Sequence, residues 1–447
     1  MSSPQAGSPA SQTYWYDYGE LRIAFTDQFS LDYQDDGSGA SMYGRFWHPV
    51  LPQWAQDEGG WCWLGGMSWP VSDYSGDPNG YRVGLIAKDH GNTGVLKPPT
   101  SWNRMWYDEH TGASMYGSAY RPVAPDGYVA LGDIFTGNYD DWFAPDSSKP
   151  PWNSFACVRA DYTHQGSYGP KLWDTDGAGS RPADESFWSV TANLDGQTFS
   201  QAADHALFSI TGFISTGGTS DSPPSSPAPT VLMVPVPQIK VSDPPPPPSL
   251  TSFDVPPDNT TPVNDYSVVV PFGAIKDTEL TVDQHVAGNA FYTLKHYTDY
   301  TLVKFINNQT GADPSTPQEV SVTVGVSDSQ SQTYSASYGV TVGYQVGVDV
   351  SIEASSDGSA GFSAGGQFSM SSTVSKQLGY STTTEVDVMV SGTITDTLSA
   401  PAQSNAALWA VKSTIAPCRP DGTCIDPNGG LGFTDHTALV RSTYPNT

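Results

Sequence analysis

Aspartates recur beside glycines in three loops of the N-terminal part of the chain. The first loop covers residues 35–39 (Asp-Asp-Gly-Ser-Gly), the second begins at Asp108, and the third contains Asp174 and Asp176. Carboxylate oxygens next to glycine turns are the hard ligands that Ca²⁺ prefers. However, no bidentate glutamate follows at a fixed distance, and Asp and Gly also form tight turns without an ion. The pattern favours turns, and if an ion does bind, the candidate ligands are Asp35, Asp108, Asp174 and Asp176.

Sequence motifs of the common enzyme classes are absent. The chain has no G-x-S-x-G, H-E-x-x-H, P-loop or C-x-x-C motif, and its eight histidines are scattered. Of the four cysteines, Cys418 and Cys424 flank a turn-like loop that a local disulfide could close, whereas Cys62 and Cys157 are too far apart in sequence to indicate a pair. We therefore expect a protein that is not an enzyme and needs no cofactor.

Aromatic residues are concentrated towards the N-terminus, where twelve of the thirteen tryptophans lie between Trp15 and Trp188. Such side chains can stack on a sugar or fill a core, because each has a flat apolar face and a polar edge. Trp47, Tyr120 and Trp188 occupy similar positions in repeated segments, which favours the core. The candidates for contact with a glycan or protein receptor are the tryptophans in turn-rich contexts: Trp54, Trp142 and Trp152.

Two arms around a turn alternate strictly between apolar and polar residues. From Tyr334 to Ala354 every even-numbered residue is apolar and every odd-numbered residue is polar or glycine. After residues 355–359 (Ser-Ser-Asp-Gly-Ser) the apolar residues resume on even numbers up to Tyr380. A period of two places alternate side chains on opposite faces of a strand, and Asp-Gly between two such runs is a hairpin signal. The sequence predicts an amphipathic β-hairpin over residues 334–380.

The predicted hairpin is long enough to cross a membrane. Its first arm would extend about 70 Å at roughly 3.3 Å per residue, whereas a transmembrane strand needs only about 9–11 residues. Soluble β-sandwich strands also alternate, but the length and the small polar residues favour insertion. The predicted lipid-facing residues are Tyr344, Val346, Val348, Val350, Ile352, Ala354, Ala360, Phe362, Ala364, Phe368 and Met370, and the predicted lumen residues are Asp349 and Glu353.

Composition limits the partners of the chain. A net charge of −27 with only 19 Lys and Arg argues against nucleic acid and against electrostatic docking on anionic lipid. No apolar window is long enough for a transmembrane helix, and the first residues lack the basic and apolar regions of a signal peptide. We expect a protein released without a recognisable signal peptide, which meets a target-cell membrane through a receptor, acid conditions or apolar insertion.

A repeat organises the N-terminal part of the chain. Residues 40–44 (Ala-Ser-Met-Tyr-Gly) recur as residues 113–117, and a weaker third copy begins with residues 173–179. Three copies of about seventy residues suit a closed pseudo-threefold β-fold, with a β-prism as the first choice and a β-trefoil as the second. Abundant Gly and Pro point to an all-β chain.

Proline content divides the remainder of the chain. We predict a three-repeat domain over residues 1–220, a Pro-rich linker over 221–262 with one edge strand at 231–234, and a second domain over 263–447 that carries the hairpin. Proline cannot donate to a β-ladder, so the linker is expected to act as a stiff spacer rather than as a ligand for an SH3-like domain.

Short motifs link the N-terminal part to a known family. Residues 127–133 (Gly-Tyr-Val-Ala-Leu-Gly-Asp), 46–50 (Phe-Trp-His-Pro-Val) and 120–123 (Tyr-Arg-Pro-Val) resemble the vacuolar-protein-sorting sixty-two family over about residues 15–220. The third copy departs most from the pattern. This resemblance implies a β-prism-like module of the kind attached to pore-forming proteins, while the family name suggests a trafficking role.

The C-terminal part, with its Ser/Thr-rich amphipathic hairpin, resembles the aerolysin-like β-pore-forming proteins over about residues 263–447. The resemblance implies an elongated antiparallel domain and a toxin, with animal or insect gut cells as expected targets. It would bind a cell-surface glycan or protein, form a homo-oligomer on the membrane and insert a β-barrel. The alternative is a non-lytic, lectin-like glycan-binding or defence protein whose C-terminal domain only assembles.

Overall fold

A computed structural model describes residues 14–108, 110–137, 145–179, 183–192, 205–210, 212–275, 277, 279–327, 329–330, 368–370, 391–425, 430–435 and 439–445. For residues 368–370 the description covers the backbone. Almost all regular structure in these ranges is β-strand, so the prediction of an all-β chain is confirmed.

The strands up to Pro237 are β1 Trp15–Tyr18, β2 Leu21–Thr26, β3 Phe29–Gln34, β4 Arg45–Pro49, β5 Trp61–Trp63, β6 Met67–Ser68, β7 Gly84–Asp89, β8 Leu96–Lys97, β9 Ser101–Tyr107, β10 Ser118–Val123, β11 Tyr128–Val129, β12 Ile134–Thr136, β13 Cys157–Arg159, β14 Thr163–Gln165, β15 Ser167–Asp174, β16 Glu185–Thr191, β17 His205–Phe208, β18 Phe213–Gly217 and β19 Thr230–Pro235. The later strands are β20 Gln238–Lys240, β21 Val263–Pro271, β22 Phe291–Asn308, β23 Gln318–Val324, β24 Phe368–Met370, β25 Gly392–Leu398, β26 Ser404–Cys418, β27 Leu431–Thr434 and β28 Val440–Tyr444. Two short helices, α1 Gln53–Glu58 and α2 Val282–Val286, and three single 3-10 turns complete the described elements.

Three repeats of six strands build the N-terminal unit. Each repeat places three strands in one antiparallel sheet: β3-β4-β6, β9-β10-β12 and β15-β16-β18. The other three strands of each repeat join a second sheet: β2-β7-β5, β8-β13-β11 and β14-β19-β17. The same strand order recurs three times, which confirms the predicted pseudo-threefold arrangement.

Aromatic rings from equivalent repeat positions form the centre of this unit. Tyr33, Trp106 and Trp173 are at most 1% exposed. Their ring centroids lie 5.7, 5.4 and 5.8 Å apart in edge-to-face contacts, the favourable geometry for aromatic pairs. The predicted core residues Trp47, Tyr120 and Trp188 are also buried, but Trp47 and Tyr120 belong to separate clusters because they point to the opposite face of their strands from the central rings.

Glycine ends each Ala-Ser-Met-Tyr-Gly copy for a steric reason. A Cβ on Gly44 would lie 2.5 Å from the ring of Trp173, and one on Gly117 would lie 2.5 Å from the ring of Tyr33. Real Cβ atoms do not approach other atoms that closely. The backbone of each copy is therefore packed directly onto the central ring of a neighbouring repeat.

The N-terminal unit extends beyond the predicted boundary at residue 220. Strand β19 (Thr230–Pro235) is the sixth strand of the third repeat and lies between β14 and β17, so it is an inner strand rather than the expected edge strand. The compact unit also includes Pro271–Phe291. Prolines at both ends of β19 gave this segment the composition of a linker, although the residues between them pair on both sides.

The second compact unit is built around two long strands. β22 (18 residues) pairs with β26 (15 residues) from Thr293–Cys418 to Asn308–Ser404, with one irregularity at Leu302. β21 pairs with β22 and β20 pairs with β21, while β27 and β28 both pair with β26. Cys418 and Cys424 are disulfide-bonded, as the turn-like loop between them suggested.

Candidate functional site

The predicted insertion hairpin lies largely outside the described residues. This holds for the lipid-facing residues Tyr344, Val346, Val348, Val350, Ile352, Ala354, Ala360, Phe362 and Ala364 and for the lumen residues Asp349 and Glu353. The structure does describe the two strands that bracket this segment. Within the described ranges, no helix has the length and apolar character needed to cross a membrane.

Strands β23 and β25 form a two-stranded antiparallel ribbon at the two ends of the hairpin segment. The pairs run from Gln318 opposite Leu398 to Val324 opposite Gly392 without an irregularity. Even-numbered residues of β25 are less exposed than the odd-numbered ones, and the same holds for β23 from Val320 onward. The period-two alternation predicted for the hairpin is therefore also present in this ribbon, although the even-numbered face of β25 includes the charged Asp396.

The remaining two predicted hairpin residues, Phe368 and Met370, lie in strand β24. This strand pairs antiparallel with β17, placing Phe368 opposite Phe208 and Met370 opposite Ala206. It forms the outer strand of the sheet β14-β19-β17-β24 in the N-terminal unit. A short part of the second arm thus supplies an edge strand to the third repeat.

Of the three tryptophans predicted to contact a receptor, Trp54 and Trp152 lie within the described residues. Trp54 and Trp152 are half-buried and pack against an aromatic cluster that contains Trp61 and Trp63. The ring of Trp54 lies 5.1 Å from that of Trp61, and the ring of Trp152 lies 5.9 Å from that of Trp63. Trp142 lies outside the described residues. Both described side chains therefore support the fold as well as reaching solvent.

The aspartates of the three loops are engaged in hydrogen bonds within the protein. Asp35 accepts hydrogen bonds from the Gly44 amide (2.7 Å), the Tyr74 hydroxyl (2.7 Å) and the Trp173 indole (2.9 Å). Asp108 accepts from the amide and hydroxyl of Thr111 at 3.1 and 2.7 Å. Burial raises the pKa of the Asp108 carboxyl. These carboxylates cap turns and tie the loops to the aromatic centre.

The third loop is built in the same way. Asp174 accepts from Lys171 Nζ at 2.6 Å and from the Asp176 amide at 3.1 Å, while the Asp176 side chain is exposed. Nowhere in the described part of the chain do three or more His, Cys, Asp or Glu residues form a group that could hold a metal ion. The geometry of the loops is that of turns.

A cleft of about 280 Å³ lies between the second and third repeats. Arg121 and Asp133 line it and form a two-pronged ion pair, with nitrogen–oxygen distances of 2.9 and 2.8 Å. Ser215 joins the pair from the third repeat, because its carbonyl accepts from Arg121 (2.6 Å) and its amide donates to Asp133 (2.7 Å). The guanidinium charge is balanced by a carboxylate, so this group links the repeats and offers no acid–base pair for catalysis.

A second buried carboxylate lies behind this ion pair. Glu185 is 4% exposed and accepts a hydrogen bond from the Ser215 hydroxyl at 2.7 Å. Burial is the main cause that raises its pKa to about 7, and the charge of Asp133 adds to it. In the sequence, Arg121 and Asp133 stood out only as parts of family motifs and Glu185 did not stand out, because nothing in the local sequence indicates contacts across 82 or 94 residues.

The second unit contains a buried histidine–aspartate pair that the sequence did not reveal. His296 Nδ1 lies 2.7 Å from Asp265 Oδ1, and the Thr298 hydroxyl donates to Asp265 Oδ2 at 2.8 Å. Burial acts to raise the pKa of Asp265, but the hydrogen bonds from His296 and Thr298 bring it below its ordinary value. Alternation along β22 places His296 and Thr298 on one face, which is the signal that could have suggested a shared partner.

Comparison with known proteins gives a match to a family model in sequence and similarities to solved structures, of which two are described. Residues 79–200 match the family described as vacuolar protein sorting-associated protein 62. This segment covers the end of the first repeat, the whole second repeat and part of the third. No curated protein matches the chain.

The solved structure of GNIP1Aa from Chromobacterium piscinae is similar at 23% identity and a TM-score of 0.35, over 46% of this chain and 34% of that one. The chain thus spans about a third of the length of GNIP1Aa. Cry35Ab1 is similar at 12% identity and a TM-score of 0.29, over 79% of this chain and 91% of that one. Both TM-scores are below 0.5.

Proposed function

We propose that the protein is a pore-forming toxin that binds a cell-surface receptor, oligomerises and contributes the hairpin of residues 334–380 to a β-barrel in the target membrane. The observation that carries this proposal is the register of the β23–β25 ribbon. Gln318 and its partner Leu398 are equally distant in sequence from Gly358, and so are Val324 and its partner Gly392. For every residue pair of the ribbon, the midpoint in the sequence is Gly358, the glycine of the predicted Asp-Gly turn.

Continuation of this register supports an amphipathic hairpin in the inserted state. It would set Val346 opposite Met370 and Ile352 opposite Ala364, so that apolar residues of both arms share one face. Directly opposed residues of an antiparallel pair lie on the same side of the sheet. The ribbon register, the position of the Asp-Gly turn and the alternation of apolar residues come from different parts of the chain. Their agreement favours one continuous hairpin over two unrelated strands.

Barrel closure explains why assembly is part of the proposal. An inserted single hairpin would leave backbone groups without partners in hydrocarbon, whereas a closed ring of hairpins pairs all of them. The odd-numbered face, with Ser, Thr, Gly, Asp349 and Glu353, would then line a water-filled lumen. A receptor is included because a chain with a net charge of −27 gains no attraction from anionic lipid.

Dye release from liposomes and from cultured animal and insect gut cells, at neutral and acidic pH, tests the pore. We expect release together with SDS-resistant oligomers on the membrane. No release from any of these targets would refute pore formation. Binding to cells without such oligomers would instead support the alternative, a non-lytic lectin-like or defence protein.

A further inference from the structure

Two exposed tyrosines occupy the same position in two repeats. Tyr43 and Tyr116 are the fourth residues of the two Ala-Ser-Met-Tyr-Gly copies, and they are 45% and 48% exposed. Large apolar side chains with this exposure are few among the described residues. An aromatic ring that is kept in solvent at two equivalent positions indicates a surface with a binding role.

Both tyrosines lie between neighbours in the chain that pack against the centre of the unit. The preceding methionines, Met42 and Met115, pack against the central aromatic cluster, and the following glycines pack onto central rings. The Tyr43 ring also lies 5.0 Å from that of Tyr74 in an edge-to-face contact. With anchors on both sides, little conformational entropy remains to be lost when a ligand contacts these rings.

The two copies lie at the same end of the pseudo-threefold unit. The Ser114 amide donates to the Asp36 carbonyl at 2.6 Å, and the Ser41 amide donates to the Asp176 carbonyl at 2.8 Å. Tyr43 and Tyr116 therefore each lie two residues after a serine whose amide joins two of the three loops. The third repeat has no tyrosine between Ala178 and Glu185, so this end presents two such rings rather than three.

The charges at this end restrict the chemistry of the partner. Asp36 and Asp176 are exposed beside the tyrosine-bearing segments. Their carboxylates can accept hydrogen bonds from hydroxyl groups but repel anions, which disfavours sialylated or sulfated sugars, phosphate groups and anionic lipid. The C–H face of a neutral pyranose packs well on a tyrosine ring, and its hydroxyls supply the donors that the carboxylates need.

We propose that Tyr43 and Tyr116 are the centres of two equivalent subsites for a neutral glycan at this end of the N-terminal unit. This inference deepens the proposed function by naming the chemical class of the receptor and rests on it only for the biological role of the contact. Two subsites on one rigid unit would engage a glycan-coated surface together, and so each weak contact would be strengthened by the other.

The test measures binding of the full chain to arrayed neutral and sialylated oligosaccharides and, for quantification, to phosphatidylcholine vesicles that carry a neutral glycolipid. We expect wild-type binding to neutral glycans and weaker binding to their sialylated forms. Tyr43→Ala or Tyr116→Ala should each weaken vesicle binding about tenfold, the scale of one stacking contact, and the double variant about a hundredfold.

Matched controls separate a binding role from a structural one. Tyr81→Ala removes a tyrosine that is 62% exposed but does not recur in the repeats, and it should change binding by less than about twofold. Tyr43→Phe keeps the ring and should bind like wild type. Thermal unfolding of all variants should match wild type, because the altered rings are exposed.

Three outcomes would overturn the inference: no binding to any neutral glycan, preference for sialylated glycans, or undiminished binding by the double alanine variant. Dye release from glycan-free liposomes at high protein concentration is measured in parallel. If release persists while glycan binding is absent, the subsite proposal fails and the pore proposal stands. Glycan binding without dye release from glycan-free liposomes, glycolipid-bearing liposomes or cells would refute the pore and leave the glycan site intact.

Discussion

At the scale of single residues, the packing of the repeat unit requires glycine at two positions, because a Cβ atom there would overlap an aromatic ring. Gly44 and Gly117 leave room for the rings of Trp173 and Tyr33, and the hydrogen bonds of Asp35 join the same three-ring centre. Local sequence showed that the glycines recur but not what they touch. Contacts of this kind join residues about 75 to 140 positions apart in the chain, which no local pattern encodes.

Gly44→Ala should destabilise the protein by about 1–3 kcal/mol, because the new methyl group would overlap the Trp173 ring and force the packed centre to shift. Gly217→Ala is the matched control, since a Cβ there meets no atom within 4 Å. Thermal or urea unfolding measures both. Equal stability of the two variants would contradict the close packing at Gly44.

Glu185 should make stability fall as pH rises. Its pKa is raised from 4.5 to about 7 in the folded protein, so the folded state holds the proton more tightly than the unfolded state does. The stabilisation is present below about pH 4.5 and is lost as the pH rises towards 7. Glu185→Gln, which keeps the hydrogen bond from Ser215, should gain thermal stability relative to wild type as the pH rises through this window. A constant difference between the two proteins would contradict the raised pKa.

At the scale of strands, alternation predicted more than propensity did. Apolar residues on even numbers over residues 319–326 indicate a strand, and the structure has one at Gln318–Val324. By contrast, the short apolar runs at residues 291–294 and 301–305 indicate two separate strands, whereas β22 is a single strand of 18 residues. Lys295, His296 and Asp299 interrupt its apolar pattern, and their contacts with β21 and β26 are tertiary, so the sequence alone did not reveal the continuity.

A charge on the apolar face of the hairpin should prevent insertion without unfolding the protein. Val348→Asp or Ile352→Asp would place a carboxylate against lipid, which costs less than the roughly 2–4 kcal/mol of an Arg or Lys at mid-bilayer but is repeated in every hairpin of the ring. Ser351→Asp, one residue from Ile352 but on the polar face, is the control and should retain dye release. Dye release by the Val348→Asp variant equal to that of wild type would show that a different segment of the chain inserts.

At the scale of the whole molecule, the repeat count was predictable and the unit boundary was not. Three copies of a short motif were enough to indicate pseudo-threefold symmetry. The end of the third repeat was hidden because β19 lies between prolines, and the return of Pro271–Phe291 to the N-terminal unit has no signature in composition. Membership of a unit is decided by strand pairing, which is a long-range property.

The assembled pore should conduct cations in preference to anions. In the proposed register Asp349 and Glu353 lie on the odd-numbered face, so each protomer would add two carboxylates to the lumen. Reversal potentials across a planar bilayer under a salt gradient measure the preference. Replacing both residues by Asn and Gln should reduce it several-fold, whereas Asp57→Asn on α1 should leave it unchanged. An anion-selective wild-type pore would exclude this register.

The pairing of β24 with β17 has a thermodynamic consequence for the proposed binding and insertion. In a closed barrel both edges of every strand are occupied by barrel neighbours, so Phe368–Met370 would have to leave Ala206–Phe208. Docked β24 and a bound glycan would then be two ligands of one folded unit, and any coupling between their binding free energies is reciprocal. If the unit binds the glycan more tightly once β24 has left, then bound glycan shifts the equilibrium towards the departure of β24 by the same factor. A receptor would then act as an activator of insertion as well as an anchor.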